Sequence, residues 1–572
     1  MFLFGTHRSV AQRLRLHADR DLGAGNFFWH AWRVARDRDR PLLFHLDASS
    51  LSRATGEPRG MSLNDLRVAT IRYAHWYRDR GVRPGAHVGL HTRDGLLGLI
   101  HHIAITSLGA AAVHCNPRMA PATAAEYFLR TRTTVLVGDG DLLKGLADAW
   151  ASDAPGQITP EVADIAALTA TASPPPRPMP DFPYRHTGDD LIMISHSSGT
   201  TGRPKAPVFH HGPFFAGKRE RLWSFPSLRS DRLLTALPHS HSAGISYLSL
   251  ALLLGIPTLI LDDPGGEAVA KAINLFRPTT VLAFPLSLAE IPTEKISPEA
   301  ARYIHTWHGM GDASHERHIR PLIALGRRTE KGRALNGSRY LDGLGSSEMG
   351  MVLFKQVHTP ETSRYARHIG TPAKVVRKAA VLDERGRELP DGQAGRLGVQ
   401  TPSVTAGYLD EPNLTEESTV NGYFLTGDIM RRDSDGTWYH LDRTPDVIHT
   451  VDGPVHSLPS EEVVLLATQA MDTAVVAVDD PDSPGHSRPL AVLLFADGAE
   501  RDAARLLDVC NAALALEGLA PLGGLLLAAD RSELPVGVTG KVLKRLLRDR
   551  LRTALSHAGD PALAVSAPAR KV

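Results

Sequence analysis

The sequence predicts an α/β protein with more than one domain. A large N-terminal region should hold two α/β subdomains and a small β-subdomain, followed by a small C-terminal α/β domain. Apolar strand-like runs alternate with helical patterns to about residue 355. Turn residues then crowd together between 370 and 440, at the spacing of antiparallel strands. From about 443 the α/β alternation resumes. A chain of 572 residues has length for several cores.

Taken in order, Met61–Leu66 opens an amphipathic helix with a capping residue at Ser62. Val88–His91 and Thr134–Val137 read as parallel-type strands. Residues 171–183 carry six prolines and read as a stiff, extended connection. Leu191–Ile194 reads as a buried strand, and Leu233–Leu237, Thr258–Leu261 and Thr280–Ala283 are further strands. Turns such as Asp383–Gly386, Pro390–Gly392 and Asp433–Gly436 mark the β-rich section. The expected division is 1–441 for the N-terminal region and 442–555 for the C-terminal domain. The Ala/Pro-rich stretch 556–572 is expected to be a disordered tail.

Bulk properties narrow the function. A net charge of +2 is small for this length, so composition makes no case for nucleic acid or a charged membrane surface. Basic positions such as Lys544, Arg545 and Arg548 are expected on a solvated helix face. Two cysteines, Cys115 and Cys510, rule out a disulfide framework and suit a reducing cytoplasm. No signal peptide is expected from Met1–Arg8, and the apolar stretch 248–261 is too short to span a bilayer. Oligomeric state is not legible.

The densest chemistry is in Ser195–Ala206, directly after a predicted strand. It gathers hydroxyls, Gly199, Gly202, Arg203 and Lys205. Glycine allows close backbone approach, and hydroxyl and N–H donors suit phosphate oxygens. The Gly-Lys-Ser/Thr ending of the Walker loop is missing.

Thr201-Gly-Arg-Pro-Lys205 resembles the signature loop of the adenylate-forming superfamily, which includes acyl-CoA synthetases, peptide-synthetase adenylation domains and firefly-type luciferases. Leu237–His241, Gly343–Glu348, Tyr423–Asp428 and Leu534–Lys541 resemble four further motifs, in the family's order. The resemblance implies the domain layout above, with a mobile C-terminal domain and an active site between the two parts.

It also implies a nucleotide and metal site. Ser198, Gly199, Thr200, Thr201, Gly202 and Lys205 would hold phosphates, with Thr201 also catalytic. Glu348 would help hold Mg²⁺, Ser347 would touch the α-phosphate, and Gly345 and Ser346 would belong to the same nucleotide site. Gly311, Asp312 and Ala313 would pack along the adenine. Asp428 would bind the ribose hydroxyls and Arg443 would support the same nucleotide. Lys541 would be the main catalytic cation, bridging phosphate and attacking oxygen. His241 would act beside the acid, in a pocket completed by Ala243, Gly244, Met310, Gly343 and Met349. This small and apolar mix admits an aryl or an alkyl acid.

Other histidines are expected to be packed or superficial. His210, His211, His239 and His241 have no standard zinc spacing, and His315–His318 is not the zincin motif. Retention of Lys541, Glu348 and Asp428 argues against a non-catalytic nucleotide sensor.

Two departures bear on the acceptor. The family's hinge residue is Asp or Lys, whereas this chain has Pro445, which fixes its own φ and restricts Thr444. The loop 447–459 is about two residues longer than its counterpart, which in CoA ligases helps form the pantetheine tunnel. The expected activity is thus ATP- and Mg²⁺-dependent adenylation of a carboxylic acid, with transfer to CoA. The alternative is direct transfer to an amine, including activation of nitrite for diazotisation of an aryl amine.

Overall fold

The computed structural model describes residues 7–47, 58–153, 156–170, 178–197, 203–225, 230–496, 501–537, 540–556 and 562–566. Two large sheets form the N-terminal region. One has nine strands, whose parallel centre runs 339–345, 306–310, 280–283, 233–235, 258–261 and 41–46. The other has six, in the order 161–164, 135–138, 87–91, 111–114, 191–194 and 208–210. All neighbours in this second sheet are parallel except the last pair.

Burial on both faces explains the near-continuous apolar strands. Val135–Val137 and Ile192–Ile194 are at most 3% exposed. Ser62 caps the helix Leu63–Asp79: its hydroxyl accepts from the Asp65 amide, and the Asp65 carboxylate accepts from the Ser62 amide. The apolar stretch around residue 250 is a buried helix, Ser242–Leu254, joined to the strand Thr258–Leu261. Gly255 ends that helix at φ 70°, a conformation that favours glycine. No described helix is long and apolar enough to cross a membrane.

The turn-rich section is an antiparallel sheet of five strands, 378–382, 394–400, 423–432, 419–420 and 438–443. Its last strand runs through Arg443, and the turn Thr444–Asp446 follows. The chain then builds a separate four-stranded sheet, 472–479, 487–494, 524–528 and 563–565, covered by the helices 457–468 and 503–516.

Two expectations need correction. Part of the supposed disordered tail is a strand, because Leu563–Val565 pairs antiparallel with Gly524–Leu526 and buries Ala564. Lys544 is not a solvated cation. Its ammonium lies 2.7 Å from Glu461 and 2.6 Å from the Ser457 hydroxyl. Burial works against that charge, but Glu461, Asp442 and Asp446 outweigh it and raise the lysine's pKa.

Candidate active site

A cavity of about 500 Å³ lies where the carboxyl ends of the parallel strands meet the C-terminal domain. Open α/β sheets place ligand crevices at such strand ends. Asp428 and Arg443 enter it from facing positions on paired antiparallel strands. Gly311, Asp312 and Ala313 follow the strand Thr306–Met310, and Gly343 and Gly345 come from its neighbour. Gly311 has φ 92°, and a Cβ there would come within 2.9 Å of the Phe284 ring. Lys541 is supplied by the C-terminal domain, between Gly540 and Val542 on the same wall.

The electrostatics of this wall are specific. Asp428 is 3% exposed and has Arg443 Nε and His440 Nε2 each 3.4 Å away. Burial opposes its charge, yet Arg443 and His440 prevail and hold its pKa well below the usual carboxylate range. Asp428 in turn raises the pKa of Arg443. Lys541 retains some exposure because it faces the cavity, but the surrounding walls desolvate it and lower its pKa. Asp312, Asp428 and Glu348 counter that shift, and Arg443 adds to it. The result is a fixed arrangement of cations and carboxylates, suited to a polyanion and its developing charge.

Glu348 is tied to this region through oxygen donors. Its Oε1 accepts from the Ser197 hydroxyl at 2.6 Å and the Tyr408 hydroxyl at 3.4 Å. Lys205 stands 5.3 Å from the Tyr408 ring, while Arg203 is drawn away to Glu126 at 2.5 Å. Ser198, Gly199, Thr200, Thr201 and Gly202 lie outside the described residues.

His241 caps the helix Ser242–Leu254. Its Nδ1 accepts from the Ala243 amide at 3.1 Å, which places the ring proton on Nε2. Nε2–H then donates to the Ser347 hydroxyl at 3.0 Å. Burial, with His196 and Lys541 adding to it, pushes this imidazole down to about 3, so it is neutral at physiological pH. Ser346 reaches the same neighbourhood, and its buried hydroxyl has no hydrogen-bond partner among the described residues.

The expected acid pocket is only partly assembled. Gly343 lines the cavity, whereas His241, Ala243, Gly244, Met310 and Met349 are buried off its surface. A Cβ on Gly244 would sit 2.4 Å from the Pro238 carbonyl oxygen. Met349 belongs to the core cluster of Leu353, Phe354 and Ile369.

Several site residues were missed from sequence. His440 flanks Asp428, and Asp442 accepts from the Ser457 amide and hydroxyl. His315 bonds Glu462 at 2.6 Å across the two parts of the chain, as Arg531 does with Glu290 at 2.7 Å. The sequence signal for the last pairs is weak, since partners stand 147 and 241 residues apart. His210 and His211 do not join the site: His211 stacks on His186 with centroids 4.7 Å apart and accepts from the Gly25 amide.

Residues 31–409 match the family model described as AMP-binding enzyme. The chain belongs to the AMP-binding enzyme family. It is an AMP-forming acid ligase. It is 35% identical over 569 residues to 3-aminoavenalumate diazotase from a Streptomyces species, covering 96% of this chain and all of that one. It is 28% identical over 500 residues to feruloyl-CoA synthase from an Amycolatopsis species, covering 85% and 93%. Among solved structures, the anthranilate CoA ligase AuaEII with anthranoyl-AMP has a TM-score of 0.78 at 18% identity, covering 94% and 98%. ATP-bound MatB from Rhodopseudomonas palustris has 0.74 at 21%, covering 93% and 99%. These likenesses establish the same mixed α/β fold.

Proposed function

We propose that this chain adenylates nitrite and passes the activated nitroso group to an aryl amine, with both half-reactions in the observed domain arrangement. The observation that carries adenylation is Lys541 in one cavity with Asp312, Asp428 and Arg443. Three features favour nitrite and amine over a carboxylic acid and CoA. The likeness to a diazotase runs along the whole chain. Of the residues expected around an acid, Gly343 lines the cavity, while His241, Ala243, Gly244, Met310 and Met349 are buried off it. The hinge position is Pro445, with Asp446 tied to Arg548.

In this reading Asp428 takes the ribose hydroxyls of ATP and Gly311–Ala313 flank the base. Lys205 and the segment 198–202 hold the outer phosphates, and Ser347 lies by the α-phosphate. Lys541 carries the charge that develops when nitrite oxygen attacks the α-phosphorus. The bond to pyrophosphate breaks and a nitrosyl adenylate forms. The amine nitrogen then attacks the nitroso nitrogen. AMP leaves and the amine gives up a proton. The resulting N-nitroso amine tautomerises to a diazohydroxide, which loses hydroxide to give the diazonium ion.

The carboxylate of Glu348 and the Ser197 hydroxyl beside it are oxygen ligands of the kind a hard cation takes, so Glu348 with Ser197 would hold Mg²⁺. The ion would supply neutralising charge to the phosphates. Cytoplasmic location remains part of this proposal, supported by two buried, unpaired cysteines.

A second reading has its own support. The likeness to feruloyl-CoA synthase favours adenylation of a carboxylic acid followed by transfer to CoA. Pyrophosphate release with nitrite and an aryl amine, against release with aryl or alkyl acids and CoA, separates the two.

A further inference from the structure

Five histidines reach one wedge of the molecule from different elements. Three neighbouring strands of the six-stranded sheet run parallel. Two of them end on a histidine, His91 and His114, and the third is followed two residues later by His196. From the nine-stranded sheet, His239 and His241 lie just beyond the strand Leu233–Thr235. All are at most 8% exposed. His114 lies within electrostatic reach of His196 and His239, and His196 within reach of His91 and His241. Behind them, His102 Nδ1 and His114 Nε2 share a hydrogen bond of 3.0 Å.

Packing among the described residues leaves several polar atoms of this wedge without partners. Among the described residues, no partner is found for His91 Nδ1, His114 Nδ1, His196 Nε2, or the hydroxyls of Ser195, Ser240 and Ser346. Buried polar atoms without partners are costly, and a group of them calls for a guest. The guest is not a metal ion held by these rings. Among the described residues, the ligand atoms that converge are those of His45, Asp94 and Asp262. That trio is satisfied internally, with Asp262 bonding His45 and the Gly95 amide, and Asp94 capping a helix.

His196 is the member that meets the cavity. It lines the wall, is 3% exposed, and its buried Nε2 has no partner among the described residues. Burial pushes it down to about 4, so it offers a neutral dipole and not a charge. A neutral N–H beside serine hydroxyls suits a compact oxyanion that must remain nucleophilic.

Resting on the proposed nitrite reading, we infer that His196, backed by His114, is the recognition site for a compact oxyanion substrate and excludes acids with a large side group. Ala243, Gly244, Met310 and Met349 do not line the cavity, so the residues expected to hold a large side group are not placed to do so.

The test measures pyrophosphate release against nitrite, formate, acetate and benzoate, each with ATP and Mg²⁺. Enzymes compared are the wild type, His196→Phe, His196→Gln and His114→Leu. Nitrite KM should rise at least tenfold in His196→Phe with ATP KM unchanged. His196→Gln, which keeps a donor, should recover most of the loss, and His114→Leu should fall between. A His196→Phe enzyme with unchanged nitrite KM overturns the assignment, as does a wild type that prefers benzoate. Turnover of formate or acetate but not nitrite, lost in His196→Phe, keeps the compact-oxyanion site and rejects diazotisation. Should His196→Phe fail to fold, the ratio of nitrite KM to ATP KM decides in its place: a rise in His114→Leu that exceeds the rise in His196→Gln supports the site, and wild-type ratios in both overturn it.

Discussion

Replacing Lys541 with alanine separates catalysis from stability more cleanly than any other substitution in this site. The ammonium faces a cavity and carries a lowered pKa because its surroundings desolvate it. A lowered lysine pKa means that the folded state disfavours the charge. Alanine therefore removes an unfavourable folding contribution along with some packing. The net stability change should stay within about 0.5 kcal/mol, as for substitutions away from a core. Catalysis should suffer far more. Loss of one preorganised donor to a developing oxyanion costs about 3–4 kcal/mol, roughly 10²–10³ in rate, and a charged donor stands at the upper end. Three carboxylates, those of Asp312, Asp428 and Glu348, would then face the polyanion with only Arg443 to offset them among the groups acting on Lys541. The assay is pyrophosphate release paired with calorimetric ATP binding and a melting curve. Turnover should fall by about three decades, with ATP affinity changed only a few-fold and Tm within about 2 °C. Turnover within threefold of wild type, or a large drop in Tm with turnover intact, would refute the role given to Lys541.

Other perturbations probe different parts of the site. Asp428→Asn should raise ATP KM by at least tenfold, because a buried carboxylate between Arg443 and His440 is lost. Its depressed folded-state pKa stabilises the fold above the unfolded carboxylate value of about 4 and ceases to do so as pH falls through the folded value. The Tm gap between wild type and Asp428→Asn should hold from pH 8 to 5 and close only in strong acid; a gap that closes at pH 6 contradicts this. Pro445→Asp should leave CoA thioester undetectable by mass spectrometry, and its appearance would show that a stiff hinge alone blocks that chemistry. Glu462→Gln should weaken the buried contact with His315 and the Glu316 amide. A cost of about 1–3 kcal/mol is expected, visible as faster proteolysis near residues 444–456; unchanged cleavage would mean that this contact does not hold the C-terminal domain down.

The sequence made the fold largely legible because burial leaves a strong imprint. Strands covered on both faces are unbroken apolar runs, as at Leu191–Ile194 and Thr258–Leu261. The capping box at Ser62 and Asp65 is local and was readable from four residues. Leu563–Val565 was not, since its Ala/Pro-rich context resembles a tail and only pairing with Gly524–Leu526 gives it a place. The residues expected to bind nucleotide were readable as motifs, and of the expected site residues Gly311–Ala313, Gly343, Gly345, Asp428, Arg443 and Lys541 line one cavity. The histidine wedge was invisible for a physical reason. Its members are scattered between residues 91 and 241, and meet because adjacent parallel strands end in register. The placement of Met349 and Gly244 was not legible, because residue type reveals neither that Met349 turns into a separate core cluster nor that Gly244 abuts the Pro238 carbonyl.

Pyrophosphate release from ATP and Mg²⁺ tests the central claim most directly, with nitrite and an aryl amine supplied and CoA present or absent. Nitrite-dependent release that is indifferent to CoA, with diazonium trapped by an azo-coupling reagent, is the result predicted here. Release that ignores nitrite, requires a carboxylic acid and yields a CoA thioester would contradict it.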